Sequence, residues 1–116
     1  MEKLIEKVRQ FREARDWDQY HSPKNLAMAL SVEVAELCEH FQWLTQDESC
    51  NLSDEKLEKV QEEIGDVMIY LVNLADKLGI DPIAAAHEKL KMNEKKYPAA
   101  QVRGKSEKYS AYTSLK

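Results

Sequence analysis

Residues 53–79 read SDEKLEKVQEEIGDVMIYLVNLADKLG, and this stretch decides the fold. Leu57, Val60, Ile64, Val67, Met68, Leu71, Ala75 and Leu78 recur every three or four positions, which lines one face of an α-helix. Ser53 is a capping residue, and Asp54 and Glu55 fall in the first turn, where the helix dipole favours negative charge. Gly79 stands where a helix ends in the left-handed conformation. The spacing therefore predicts a helix from 53 to about 78. Glu63 and Asp66 flank its apolar stripe, one turn apart and on the same side.

Working outward, Ser22-Pro23 supplies an N-cap followed by proline at the first helical position. The second helix predicted there can run to about Leu44, with Leu26, Leu30, Val34, Leu37, Phe41 and Leu44 on one stripe. Glu33 lies at the edge of that stripe, and Glu36 follows one turn later on the same side. A first helix is predicted over Glu2–Arg15, with a connector over 16–22. Residues 46–52 read as a polar loop. Asp81-Pro82 repeats the cap-plus-proline signature and opens a fourth helix that should end near Lys96, before Pro98. The chain has 116 residues with only 3 Gly and 3 Pro, too few turn-formers for a sandwich or barrel. We expect an all-α four-helix bundle: a single helical domain over 1–98, then a basic, mobile tail over 99–116.

Charge is unevenly spread. Residues 1–88 carry 9 basic and 19 acidic side chains, a net of −10, whereas 89–116 carry 8 basic and 2 acidic, a net of +6. A nucleic-acid role is disfavoured, because the body would repel a phosphate backbone and the tail has no basic–aromatic repeat beyond Tyr109 and Tyr112. No apolar run approaches the roughly 18 residues needed to span a membrane, and the N-terminus is charged, so a soluble cytoplasmic protein without a membrane partner is expected. Cys38 and Cys50 form no CxxC pair and share no ligand spacing with His21, His40 or His87, which reads as reduced thiols without zinc.

The acidic pairs carry the chemistry. Two carboxylates one turn apart repel, and beside a core they also lose hydration. Four of them, Glu33, Glu36, Glu63 and Asp66, converging from two packed helices need cations. An all-oxygen donor set suits Mg²⁺, with Mn²⁺ as a substitute, and leaves coordination positions for a substrate phosphate. A di-iron bundle would need Glu-x-x-His twice, and no Glu here has a His three residues later. On the fourth helix Lys89 and Asn93 share a face, and Lys96 and Tyr97 follow within the next turn, offering cation and amide groups to phosphate. Tyr70, one turn beyond Asp66, is a candidate member of the same site.

Glu33-Val34-Ala35-Glu36 and Glu63-Ile64-Gly65-Asp66 together resemble the ExxE…ExxD signature of the all-α nucleoside triphosphate pyrophosphohydrolases, the MazG-like superfamily. "RDWDQYHSPKNLAMAL", "EVAELCEHFQW", "EEIGDVMIYLVNLADKLGID" and "KYP" resemble its dCTP pyrophosphatase branch and the bacterial, integron-type relatives, over about residues 1–112. Many members carry a further glutamate just before the first motif; Val32 stands there, leaving Glu36 as the water-activating candidate. The resemblance implies cleavage of an NTP, foremost a dCTP-like deoxynucleotide, between the α- and β-phosphates. The products would be monophosphate and pyrophosphate, in nucleotide-pool control or removal of modified nucleotides. Cations held by the four carboxylates would neutralise the triphosphate and activate water, and a nearby glutamate would take its proton.

By the same resemblance Lys89 and Asn93 contact phosphate, and Trp17 and Trp43, from two subunits, stack on the base. Arg103, Lys105 and Lys108 are weaker candidates to close over phosphate. A non-enzymatic helical interaction module is the alternative. Ile69 and Val72 lie off the main stripe of the third helix and would be exposed in a monomer, which calls for a second packing surface. Together with the resemblance this predicts a homotetramer, a dimer of dimers, with a dimer as the minimal active unit.

Overall fold

The computed structural model of the chain describes residues 1–104. Helices α1 (Glu2–Ala14), α2 (Pro23–Glu39), α3 (Gln46–Ser49), α4 (Asp54–Lys77), α5 (Pro82–Lys96) and α6 (Ala99–Val102) follow in order, with a 3₁₀ turn at Asp18–Tyr20 between α1 and α2. Among the described residues there is no strand, and no helix is long and apolar enough to cross a membrane. The chain forms two compact units, Met1–Ile80 and a second from Asp81 onward. Lys105, Lys108, Tyr109 and Tyr112 lie outside the described residues.

The predicted caps are present. Ser22 accepts a hydrogen bond from the Asn25 N–H, Ser53 from the Lys56 N–H, and Asp81 from the Ile83 and Ala84 N–H groups. Each satisfies a backbone donor that the first turn of a helix leaves without a partner. At the end of α4, Gly79 adopts φ +67°. Its N–H donates to Asp76 O, and the Ile80 N–H donates to Ala75 O, the paired bonds of a Schellman turn.

The second helix ends earlier than its apolar pattern predicts, at Glu39 rather than near Leu44. Thr45 and Glu48 form a capping box, in which the Thr45 hydroxyl accepts from the Glu48 N–H and the Glu48 carboxylate accepts from the Thr45 N–H. That box starts α3 inside the stretch read as a loop, and residues 40–44 close with tight turns instead of helix.

In the first unit α4 is the axis: α2 packs along it and α1 packs against it. Because α4 has two neighbours, its buried residues are Val60, Val72, Asn73 and Ala75 rather than one continuous stripe. Val72 is 1% exposed, so it is core of the single chain and not a surface residue as its angular position predicted. Ile69 is 41% exposed, as expected. Conversely Leu57, Ile64, Met68, Leu71 and Leu78, expected in the core, are exposed.

A buried polar cluster locks α1 to α4. Arg12 is 6% exposed and its Nη1 donates to Asn73 Oδ1 at 2.9 Å, while Nη2 donates to Asp76 Oδ2 at 3.2 Å. Arg9 also donates to both oxygens of Asp76. These bonds, from Arg9 first and then Arg12, hold the Asp76 carboxyl below the usual range.

Candidate functional site

The side-by-side packing of α2 and α4 brings the two acidic motifs together. Glu33 and Glu36 on α2 and Glu63 on α4 each offer an oxygen, and these three atoms lie within 4.8 Å of one another. Asp66 falls outside that triad, although its charge acts on Glu33 and Glu63. One oxygen of Glu33 and one of Glu63 are buried without a hydrogen-bond partner. Burial first, and then the negative charges of Glu36 and Asp66, push the Glu33 and Glu63 carboxyls above their ordinary values. Buried acceptors without donors are costly. A divalent cation with a preference for oxygen resolves both the lost hydration and the repulsion, so the donor set fits Mg²⁺ or Mn²⁺.

His40 is a neighbour the sequence reading left without a role. Its Nε2 lies 3.9 Å from Glu63 Oε1. The signal was present, since His40 stands four residues after Glu36 and so shares its side of the helix.

A cavity of about 370 Å³ lies within the first unit, and of the four motif carboxylates Asp66 lines it. Trp17, Asp66 and Tyr70 line it, as do Phe11, Arg12, His21, Ile69 and Asn73, which sequence reasoning did not assign. Trp17 meets Phe11 edge to face, with ring centres 5.6 Å apart, and the Arg15 guanidinium covers the Phe11 ring at 3.6 Å. Such contacts fix aromatic orientation beyond what burial alone does. Burial, reinforced by the Arg12 charge, holds the His21 imidazole below its ordinary value.

Trp43 is not among the residues lining this cavity. It lies beyond the early end of α2 and is 87% exposed. In the second unit Lys89 and Asn93 lie on α5 one turn apart, Lys89 exposed and Asn93 half-buried. Tyr97 caps α5, its N–H donating to Asn93 O at 2.8 Å, and Lys96 precedes it half-buried. Arg103 is exposed.

Fold and site together define a class: an all-helical protein in which a Glu-x-x-Glu motif on α2 and a Glu-x-x-Asp motif on α4 bring together carboxylates able to hold a divalent cation. The MazG-like family model matches residues 28–111. The chain belongs to the MazG-like family. It is 43% identical to dCTP pyrophosphatase 1 of Homo sapiens over 103 residues, 87% of this chain and 61% of that protein. To dCTP pyrophosphatase 1 of Rattus norvegicus it is 41% identical over 103 residues, with the same coverage of 87% and 61%. This chain thus spans 61% of the length of these curated relatives. A solved structure of a pyrophosphatase from Archaeoglobus fulgidus superposes with a TM-score of 0.80 at 48% identity, covering 84% of this chain and 92% of that one.

Proposed function

We propose that this chain is a nucleoside triphosphate pyrophosphohydrolase, dependent on Mg²⁺ with Mn²⁺ as a substitute, that divides dCTP-like deoxynucleotides into monophosphate and pyrophosphate. The observation that carries the reading is the triad Glu33, Glu36 and Glu63, with two buried acceptor oxygens lacking donors; Asp66 of the second motif lines the aromatic cavity. The names of the relatives point to the same chemistry.

Glu33, Glu63 and Asp66 would hold the cation together with Glu36, and the cation when bound supplies charge neutralisation for a triphosphate that an acidic body would otherwise repel. Glu36 accepts the proton of the attacking water. Trp17 and Tyr70 enclose base and sugar in the cavity of the first unit. Lys89, Asn93, Lys96 and Tyr97 contact phosphate, a role assigned on the resemblance alone.

The active form is a homo-oligomer, a dimer at least and a tetramer in full. Leu57, Ile64, Met68 and Leu71 form an exposed apolar row on α4, and a row of that kind is costly in water unless covered. Trp43, too exposed to serve its own chain's cavity, reaches the nucleotide of a neighbouring subunit.

Incubating the full chain with a panel of NTPs and dNTPs, with Mg²⁺ or with EDTA, and separating the products by anion exchange tests this. The expected result is dCMP and pyrophosphate from dCTP, abolished by EDTA. Inertness toward every nucleotide would favour a non-enzymatic helical interaction module instead.

A further inference from the structure

The first helix ends unusually. Asp16 sits in the left-handed region at φ +53°, a place where glycine is the common residue. The turn closes with the Asp16 N–H donating to Glu13 O and the Trp17 N–H donating to Arg12 O, each at 3.1 Å. Gln19 Nε2 braces the same turn by donating to Asp16 O and Asp16 Oδ2. The backbone of Trp17 is therefore tied to Arg12.

The Arg12 side chain ties down the next residue as well. Its Nε lies 3.1 Å from Asp18 Oδ1, close enough for an ion pair though not aligned as a hydrogen bond. Asp18 Oδ1 also accepts from Lys77 Nζ on α4 at 2.9 Å. The far side of the guanidinium is bonded to Asn73 and Asp76. One buried residue thus joins the start of the Trp17 connector to α4, and Arg12, Trp17 and Asn73 line the same cavity.

Burying a guanidinium is expensive, and an apolar residue of similar size would serve plain stability as well or better. What the fork adds is geometry: planar donors that fix several partners at once. We propose that Arg12 is a positioning residue for the nucleobase end of the site, holding Trp17 and the adjoining cavity wall in their binding arrangement before the nucleotide arrives. The role rests on the nucleotide-hydrolysing function proposed above. Without Arg12 the connector must be ordered at the moment of binding, so the loss falls on affinity rather than on the chemical step.

The test uses the full-length protein with Mn²⁺ and dCTP, comparing Arg12→Met, Arg12→Lys and Asp18→Asn with the parent. Asp18 lies outside the cavity lining, so Asp18→Asn loosens the connector without touching the pocket, and it decides the matter if Arg12→Met does not fold. A parallel series carrying Trp43→Phe leaves Trp17 as the sole tryptophan, so acrylamide quenching reports its freedom directly. The expected result is a KM raised about fivefold to tenfold in Arg12→Met and Asp18→Asn, with kcat within about twofold and the Mn²⁺ dependence unchanged. Quenching of Trp17 should rise in the same variants. Arg12→Lys should fall between, keeping the charge but losing the fork. A lowered melting temperature with KM and quenching unchanged would make Arg12 merely structural and overturn the role. A parent protein that neither binds nor hydrolyses any nucleotide would overturn the functional reading itself, and this role with it.

Discussion

Replacing Glu63 by Gln should separate the cost of the acidic cluster from its purpose. Glu63 contributes one of three oxygens that lie within 4.8 Å, and one of its own oxygens is buried without a partner. In the metal-free protein the substitution removes a charge that burial and its acidic neighbours oppose, so the melting temperature should stay level or rise. With cation present the order reverses. A ligand at 100 times its dissociation constant stabilises the fold by about 2.7 kcal/mol, which for a chain of this size is a shift of roughly 10 °C. Losing one of the ligands should weaken binding at least about 100-fold, since even residues behind the ligands are worth up to that much. At the same cation concentration the gain then shrinks to about 0.4 kcal/mol, a shift of under about 2 °C. Differential scanning fluorimetry with Mn²⁺ titrated into parent, Glu63→Gln and Glu62→Gln reads this directly, Glu62 being an exposed neighbour outside the cluster. An equal Mn²⁺ shift in Glu63→Gln and parent would refute the assignment. So would a metal-free Glu63→Gln protein that melts several degrees lower, because the carboxylate would then be a structural partner of His40.

Val72→Ala should cost about 2–3 kcal/mol in urea unfolding, from about 0.8 kcal/mol per buried methylene plus the cavity left, and by the same amount at every protein concentration, since Val72 is core of one chain. Ile64→Glu or Met68→Glu, on the exposed row of α4, should instead shift the mass by light scattering from about four chains toward one and reduce activity; an unchanged mass would remove that row from the interface. The pH dependence of the metal-free fold has two limbs of opposite sign. Because Glu33 and Glu63 are raised on folding, stability should fall as pH climbs from the ordinary carboxylate value through their raised values, and Glu33→Gln should flatten that limb. Because Asp76 is lowered, its contribution is complete above the ordinary value and lost as pH drops through the depressed one, a limb that Asp76→Asn should flatten in acid unfolding followed by circular dichroism.

The helix starts were legible because each rests on a local rule. Ser22-Pro23, Ser53 and Asp81-Pro82 satisfy backbone donors a few residues away, and no distant contact competes with them. The end of α2 was equally local but was missed, because an apolar repeat running to Leu44 hid the Thr45–Glu48 capping box. The acidic pairs were legible for a different reason: i, i+3 spacing fixes a shared face, and only the pairing of α2 with α4 had to be supplied. Burial along α4 was not legible. A single stripe assumes one neighbour, whereas α4 has α2 on one side and α1 on another, which sends Val72 into the core and leaves Leu57 and Ile64 outside. The cavity wall escaped notice because Arg12 meets Asn73 and Asp76 across more than sixty residues of chain, a distance no local pattern spans.

The position of water attack tests the proposed function most directly, because it separates a pyrophosphohydrolase from a hydrolase that removes the terminal phosphate. Hydrolysis of dCTP by the full chain with Mg²⁺ in ¹⁸O-water, with both products analysed by mass spectrometry, reads that position directly. Attack at the α-phosphorus predicts dCMP carrying one ¹⁸O and pyrophosphate carrying none. Label in pyrophosphate with unlabelled dCMP, or release of dCDP and orthophosphate, would contradict it.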